Sequence, residues 1–423
     1  MLLFLAFGVT LLPSAPAVAA EGKKGPALTA PPEGDANYAL LGEYLGPIAT
    51  GENEYEPLGL QVRPVGGDRF EAVQFRGGLP GQPKHDPEGT KLLGSRSGDF
   101  IVLSGGPWAI FVEHDHCLIV DRQGQQVGRL ERVQRQSPTL NAAPPHDAVV
   151  LFDGSGTEQF TKAEMTEEGL LMQGADIKPM FQDFDLHLEF RLPYMPEASD
   201  QSRGNSGVYL QSRYECQVLD SFAQDRLFNG CGALYRFRKP DLNMCFPPLS
   251  WQTYDIRFTA PRWAADGTKI RDAHVTSWLN GVKVQDNVAL PNKTGAGKPE
   301  APLLLPTRLQ DHGDPVRFRN IWVVDRGLTT GVAFPVEGGP SDDQAAPAKA
   351  AKPDKPAGEE ATAKADQPKP DQPQQDAKDP EKKPDAPSKA ETDSAPASPD
   401  KAPEAAAAAA AAPQPAAEAA SQG

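Results

Sequence analysis

The chain has 423 residues, 39% of them hydrophobic, and a formal net charge of −15. The length allows two or three domains, and the charge argues against a nucleic-acid partner. The shortage of apolar residues is local: after Phe334 no aromatic residue occurs, and Ala, Pro, Lys, Asp and Glu dominate to the end.

Residues 1–20 (MLLFLAFGVTLLPSAPAVAA) place an apolar run before Pro13 and small residues at Ala17, Val18 and Ala19. That is a secretory signal pattern, with cleavage expected near Ala19 or Ala20. The run is too short to span a bilayer and no other stretch could span one, so no transmembrane segment is expected. The expected location is exported, periplasmic or extracellular. Residues 21–36 read as a polar, Pro/Gly-rich linker.

Residues 37–135 hold short β-rich segments separated by Gly66-Gly67, Gly77-Gly78, Gly105-Gly106 and Gln123-Gly124. Such spacing predicts a small β-sandwich or barrel. His114 and His116 would share a strand face, as a metal pair does, but a hairpin tip fits them better. Residues 136–147 (QSPTLNAAPPHD) form a Pro-rich linker.

Residues 148–327 form a second unit. In DFDLHLEFRL (183–192), Phe184, Leu186, Leu188, Phe190 and Leu192 lie on one face, and Asp185, His187, Glu189 and Arg191 on the other. This is a half-buried strand, with His187 at the surface. Strands are also expected at 206–219, 251–259, 273–279 and 316–324, with Asn280-Gly281 as a two-residue hairpin turn. Trp251, Trp278 and Trp322 read as core. No segment carries a helical period, so the unit is an all-β, two-sheet sandwich. Residues 328–423, of low complexity from 338 onward, read as a disordered Pro/Ala/Lys/Glu-rich tail.

Four cysteines are present. In an exported protein Cys231 and Cys245 could close a short loop as a disulfide. Cys117 and Cys216 read as buried small hydrophobes, and without a CxxC motif a structural zinc site is not expected.

The segment RGNSGVYLQSRYECQVLDSF (203–222) carries the most chemistry. Alternate residues of a strand share a face. Asn205, Tyr209, Gln211, Arg213, Glu215 and Gln217 would therefore line one face, with Val208, Leu210, Tyr214, Cys216 and Val218 turned to the core. Amides, a guanidinium, a carboxylate and a phenol together suit sugar hydroxyls. Two glycines flank Asn205-Ser206, where a backbone can approach a ligand closely. Further along, Asp311 and His312 occupy a Gly/Pro turn ahead of a strand bearing Arg317 and Arg319, an arrangement suited to acid–base work. Tyr235 is a cleft-wall candidate.

The stretches NSGVYLQSRYECQVLDS, CGALY, PPLSWQTYDIRFTAPR, LNGVKV and PLLLPTRLQDHGDPVRFRNIWV resemble, in order, the 3-keto-disaccharide hydrolase-like domain family. The N-terminal unit is similar to the β-rich domain fused to such domains in planctomycete-like bacteria. The resemblance implies a concanavalin-like β-jelly roll of laminarinase type and a sugar substrate oxidised at C3 of a glucose unit. It implies cleavage of 3-keto-glycosides by hydrolysis, or by removal of the C2 proton and 1,2-elimination. A ketone at C3 acidifies the C2 hydrogen, so the protein must supply a base, an enolate stabiliser and a leaving-group acid. His312 or Glu215 is then the expected base. Arg213, Arg319 or a bound divalent cation would stabilise the enolate. Asp220, Asp311 and Glu189 are the remaining acid or metal-ligand candidates.

One departure bears on mechanism. Laminarinase-type enzymes carry E-x-D-x-x-E, and here the matching run is Glu215-x-Gln217-x-x-Asp220. Double displacement needs two carboxyls roughly 5–5.5 Å apart. Asp220 is one carbon short and falls on the opposite face of a regular strand unless a bulge intervenes. Keto-assisted cleavage suits the sequence better. Two other functions compete on the same sandwich: a non-catalytic carbohydrate-binding module, and an envelope interaction protein with the tail as spacer. The partner expected is a 3-keto-glucoside or other oligosaccharide.

Overall fold

A computed structural model describes residues 24–327. The expected signal peptide and C-terminal tail lie outside the described residues. Apart from a short helix, Ala36–Leu40, capped by the Asp35 side chain, and one 3-10 turn, Asp200–Ser202, the regular structure is β.

Eight strands come first: β1 (Gly42–Gly51), β2 (Glu54–Pro64), β3 (Arg69–Arg76), β4 (Thr90–Ser97), β5 (Phe100–Ser104), β6 (Ala109–Val112), β7 (His116–Val120) and β8 (Gln126–Val133). They pair in sequence order and β8 returns to β1, closing a barrel. Alternation fills its interior with Tyr44, Ile48, Leu58, Leu60, Val62 and partners from every other strand. Each side chain of that size contributes roughly 1.5–3 kcal/mol on burial. His114 is exposed at the β6–β7 hairpin tip and bonds to Asp115 at 2.5 Å.

At the seam β1 lies so close to β8 that a Cβ on Gly46 would overlap the Arg129 carbonyl. Gly46→Val must push the seam apart, at an expected cost of about 3 kcal/mol. Urea unfolding reads this, and an unchanged midpoint would contradict the tight seam.

The sandwich strands are β9 (Ala148–Phe152), β10 (Phe160–Thr161), β11 (Leu171–Met172), β12 (Asp176–Ile177), β13 (Phe184–Arg191), β14 (Ser206–Leu210), β15 (Tyr214–Val218), β16 (Trp251–Thr259), β17 (Arg262–Trp263), β18 (Lys269–Arg271), β19 (Ala273–Leu279), β20 (Val282–Leu290), β21 (Arg308–Leu309) and β22 (Arg317–Asp325). One sheet runs β10-β12-β21-β14-β15; the larger runs β11-β22-β13-β16-β19-β20, with β9 against β22. Phe184, Leu186, Leu188 and Phe190 of β13 meet Val208, Leu210, Tyr214, Cys216 and Val218 of the smaller sheet in one core.

The single strand expected over 206–219 is instead a hairpin. Gln211 (φ 48°) and Ser212 (φ 55°) take left-handed conformations in its three-residue turn, 211–213. A loop of three residues between the paired Leu210 and Tyr214 keeps the parity: Tyr209 pairs with Glu215 and Gly207 with Gln217, so odd positions share a face in both strands.

The 136–147 linker is a strap over the outer face of the larger sheet. Ser137 and Thr253 hydroxyls share a hydrogen bond of 2.6 Å, Thr139 Oγ1 donates to Asp255 at 2.8 Å, and Asn141 N donates to Glu189 at 2.5 Å. Asn320 Nδ2 donates to the Ala142 carbonyl at 3.0 Å. His187, expected at the surface, is therefore only 1% exposed; it bonds to Asp255 at 2.7 Å and stacks on Trp322. Trp251, Trp278 and Trp322, expected in the core, are half-buried on this outer face, and the Arg319 guanidinium lies 4.0 Å from the centre of the Trp251 ring.

Burial alone would raise the Glu189 carboxyl, but hydrogen bonds from His187, Asn320, Arg319 and Asn141 hold it at about 2. Burial opposes charge on His187, yet its bonds to Asp255 and Glu189 raise it overall. A lowered acid stabilises above its unfolded value, and a raised histidine stabilises below its own. The strap should hold best between roughly pH 5 and 6.5. Glu189→Ala takes the acceptor from four donors and should cost about 3 kcal/mol. Limited proteolysis should then cut within 136–147; an uncut strap would count against the clasp.

Candidate active site on the five-stranded sheet

The odd-numbered face of β14 and β15 turns away from the core. Beside β15, residues 232–235 add an edge: Gly232 N donates to Gln217 O at 3.1 Å, Gln217 N to Ala233 O at 2.9 Å, and Tyr235 N to Glu215 O at 3.0 Å. On the other side Arg308 of β21 pairs with Tyr209. Tyr209, Glu215, Gln217, Tyr235 and Arg308 thus come from three segments to one surface.

Glu215 sits at its centre, 2% exposed. The Tyr209 hydroxyl donates to Glu215 Oε2 at 2.6 Å, and the Arg308 guanidinium lies 5.5 Å from the Tyr209 ring centre. The carboxylate rests on bare backbone. A Cβ on Gly207 would lie 2.6 Å from Glu215 Oε1 and 3.2 Å from Gln310 Oε1. A Cβ on Gly295 (φ 51°) would lie 2.6 Å from Glu215 Oε2 and 2.7 Å from the Tyr235 ring. Burial pushes the Glu215 carboxyl up to about 7, against the opposing pull of Tyr209 and Arg308. Burial and the Glu215 bond push the Tyr209 phenol well above its ordinary value.

Around this carboxyl, Gln217 Oε1, Gln310 Oε1 and Arg308 Nε are buried without a hydrogen-bond partner among the described residues. The nearest carboxylate oxygen to Arg308 Nε is on Asp176, at 3.8 Å. An unmet buried polar atom costs about 1–3 kcal/mol. Three together on one face are what a polyhydroxylated ligand would satisfy.

Asn205 lies at the far end of the same surface. Its Nδ2 donates to Gln201 O at 2.8 Å, and Gln217 Nε2 reaches Gln201 Oε1 at 3.1 Å and Asn205 Oδ1 at 3.4 Å. Asp311 and His312 are exposed in the turn after Gln310, whose backbone N donates to Gly207 O at 2.8 Å. The turn leaves the sheet beside the Glu215 cradle. The His312 ring makes no hydrogen bond among the described residues.

Other expected site residues are spent elsewhere. Gln211 belongs to the turn, and its amide donates to Phe181 O at 2.9 Å. Arg213 binds the carbonyls of Pro299, Ala301 and Leu303, pinning that loop. Glu189 and Arg319 pair at 2.7 Å on the outer face of the other sheet. Asp220, beyond the end of β15, is held by Arg203 at 2.7 Å. Cys231 and Cys245 are buried free thiols rather than a disulfide. Among the described residues no group of three or more His, Cys, Asp or Glu stands together to hold a metal ion.

Sequence reading missed Arg308, Gln310 and Gly295. The triplet Arg308-Leu309-Gln310 does alternate polar, apolar, polar, but three residues are too few to signal a strand. Gly295, in the polar stretch NKTGAGKP, carries no periodic signal.

The site is thus a buried carboxyl among unpartnered polar atoms on one face of a two-sheet β-sandwich, and the family match makes it part of a glycoside-active domain. Residues 147–324 match the 3-keto-alpha-glucoside-1,2-lyase-like domain, and over this stretch the chain belongs to that family. A solved structure from Parabacteroides distasonis, provisionally classed as a glycosyl hydrolase, is 32% identical, covering 43% of this chain and 84% of that one, with a TM-score of 0.39. A second from the same organism, described alike, is 17% identical over 43% of this chain and 94% of its own, with a TM-score of 0.31. No curated protein matches.

Proposed function

We propose that this site cleaves 3-keto-glycosides, with Glu215 as the base that takes the C2 proton. The observation that carries the reading is the Glu215 carboxyl itself: buried on glycine backbone, with Tyr209 as its side-chain hydrogen-bond donor, and titrating at about 7. Such a group both takes and returns a proton at neutral pH. The pair of electrons from the C2–H bond moves onto the C3 oxygen as an enolate. Arg308, whose Nε awaits a partner, is the cation nearest to hand for that charge. The enolate then re-forms the ketone, a C1–C2 double bond appears, and the C1–oxygen bond breaks. The leaving oxygen takes up a proton, which Glu215 now carries. Addition of water across the new double bond completes net hydrolysis.

The test is incubation with 3-keto-trehalose and a 3-keto-β-glucoside beside their unoxidised parents, watching for a 2-hydroxy-glucal or 3-keto-glucose. Turnover of the keto sugars alone is expected, and turnover of neither would overturn the reading. An exported location fits an enzyme acting on glycosides met outside the cytoplasm. N-terminal sequencing of the mature chain, with a start near residue 20, tests that part.

A further inference from the structure

We propose that the turn segment 227–237 forms a leaving-group subsite for a flat aromatic aglycone of the phenol class. This rests on the glycoside-cleaving reading above. Within this short segment Leu227, Phe228 and Phe237 leave 38%, 49% and 46% of their surface exposed. The same segment is sewn to the strand that carries Glu215. Tyr235, next to the Arg236-Phe237 turn, donates its backbone N to Glu215 O at 3.0 Å and sets its ring against the Gly295 cradle. Arg236 N donates to Phe228 O at 2.7 Å, tying the two exposed phenylalanines into one unit. The carbonyl of Asn229 accepts from Gln201 Nε2 at 3.0 Å and Gln217 Nε2 at 3.4 Å, fixing the segment to the polar floor. Arg236 holds a left-handed φ of 55°, so Phe237 is presented by a tight turn.

The chemistry divides by position. The unpaired polar atoms lie around Glu215, where a glucose unit would find partners for its hydroxyls. The segment offers the phenyl rings of Phe228 and Phe237, which have no hydrogen bond to give, beside the exposed Arg236 guanidinium, which has. A second sugar laid on the phenyl rings would lose the water around its hydroxyls and gain partners only on the Arg236 side. An aromatic ring would stack on exposed phenylalanine and keep its polar atom toward Glu215.

The experiment compares phenyl and methyl 3-keto-β-glucosides with the full chain and with Phe228→Ser/Phe237→Ser. Leaving-group reactivity cancels when the phenyl-to-methyl ratio of kcat/KM is compared between the two proteins. That ratio should fall at least tenfold in the double variant, with methyl turnover within twofold of the original. An unchanged ratio, or an equal fall for both substrates, overturns the subsite. A second arm titrates the unoxidised phenyl and methyl β-glucosides calorimetrically. The phenyl ligand should bind at least tenfold tighter, and only to the unsubstituted protein. If neither keto sugar is turned over, the cleavage reading fails while the titration still decides the subsite; equal affinity for phenyl and methyl ligands would sink it.

Discussion

Glu215→Gln should lower kcat on a 3-keto-glucoside by about 10³–10⁴-fold while the fold persists, because an amide cannot accept the C2 proton. The Gln side chain keeps the length and keeps an oxygen for the Tyr209 hydroxyl, so the loss reads proton transfer rather than packing. In the unsubstituted enzyme kcat/KM should rise with pH through an inflection near 7, where the buried carboxyl ionises. The same group leaves a signature in stability. Its folded value of about 7 lies above the unfolded value of roughly 4.5, so the stability it lends is complete below the lower value and is lost as pH climbs through the higher. Between pH 5 and 8 the unsubstituted protein should lose roughly 2–3 kcal/mol more than Glu215→Gln does. Urea titrations at the two pH values measure it. Parallel pH profiles for the two proteins would mean that Glu215 is not buried as described.

Periodicity reports which way a residue points, and here it did so well. Strict alternation over 183–192 gave β13 and its core face, and parity brought Tyr209, Glu215 and Gln217 to one surface even though the strand is broken by a turn. What covers a face is another matter. Glu189, His187 and Arg319 point outward as their positions require, yet the strap from 137 to 142 buries the first two and turns the group into a structural clasp. The three tryptophans were misplaced for the same reason: in a sheet whose outer face is itself covered, a large aromatic side chain does not need the core. Gln211 and Arg213 show the converse failure. Both have the right parity, but they lie in the three-residue turn, and their side chains reach along the sheet to loop carbonyls. Arg308 and Gln310 are nearly a hundred residues from Glu215 in the chain, and their place beside it comes from the pairing of β21 with β14.

Asp220→Asn carries the second large effect, on stability rather than turnover. Asp220 and Arg203 are both within 1% of complete burial and bond at 2.7 Å. Arg203 Nη1 also donates to the Pro64 carbonyl of the barrel at 3.1 Å, so the pair sits where barrel and sandwich meet. Arg63 is close by: burial first, then the charge of Arg203, pulls its guanidinium below the ordinary value, and its bond to Glu71 and then the charge of Asp220 partly restore it. Asp220 thus bonds one cation and acts on a second. Without its charge Arg203 is left uncompensated in a dry setting, and a loss of about 3–5 kcal/mol is expected. Replacing both partners, as Arg203→Met with Asp220→Leu, should recover much of that loss, since two well-packed apolar groups need no counter-ion. Turnover by the folded Asp220→Asn protein should stay within about threefold, because this carboxylate serves Arg203 and not the Glu215 cradle. Urea unfolding and single-temperature kinetics below the transition separate the two readouts. A thousandfold fall in kcat in a stable Asp220→Asn protein would restore the two-carboxylate mechanism and displace the keto-assisted one.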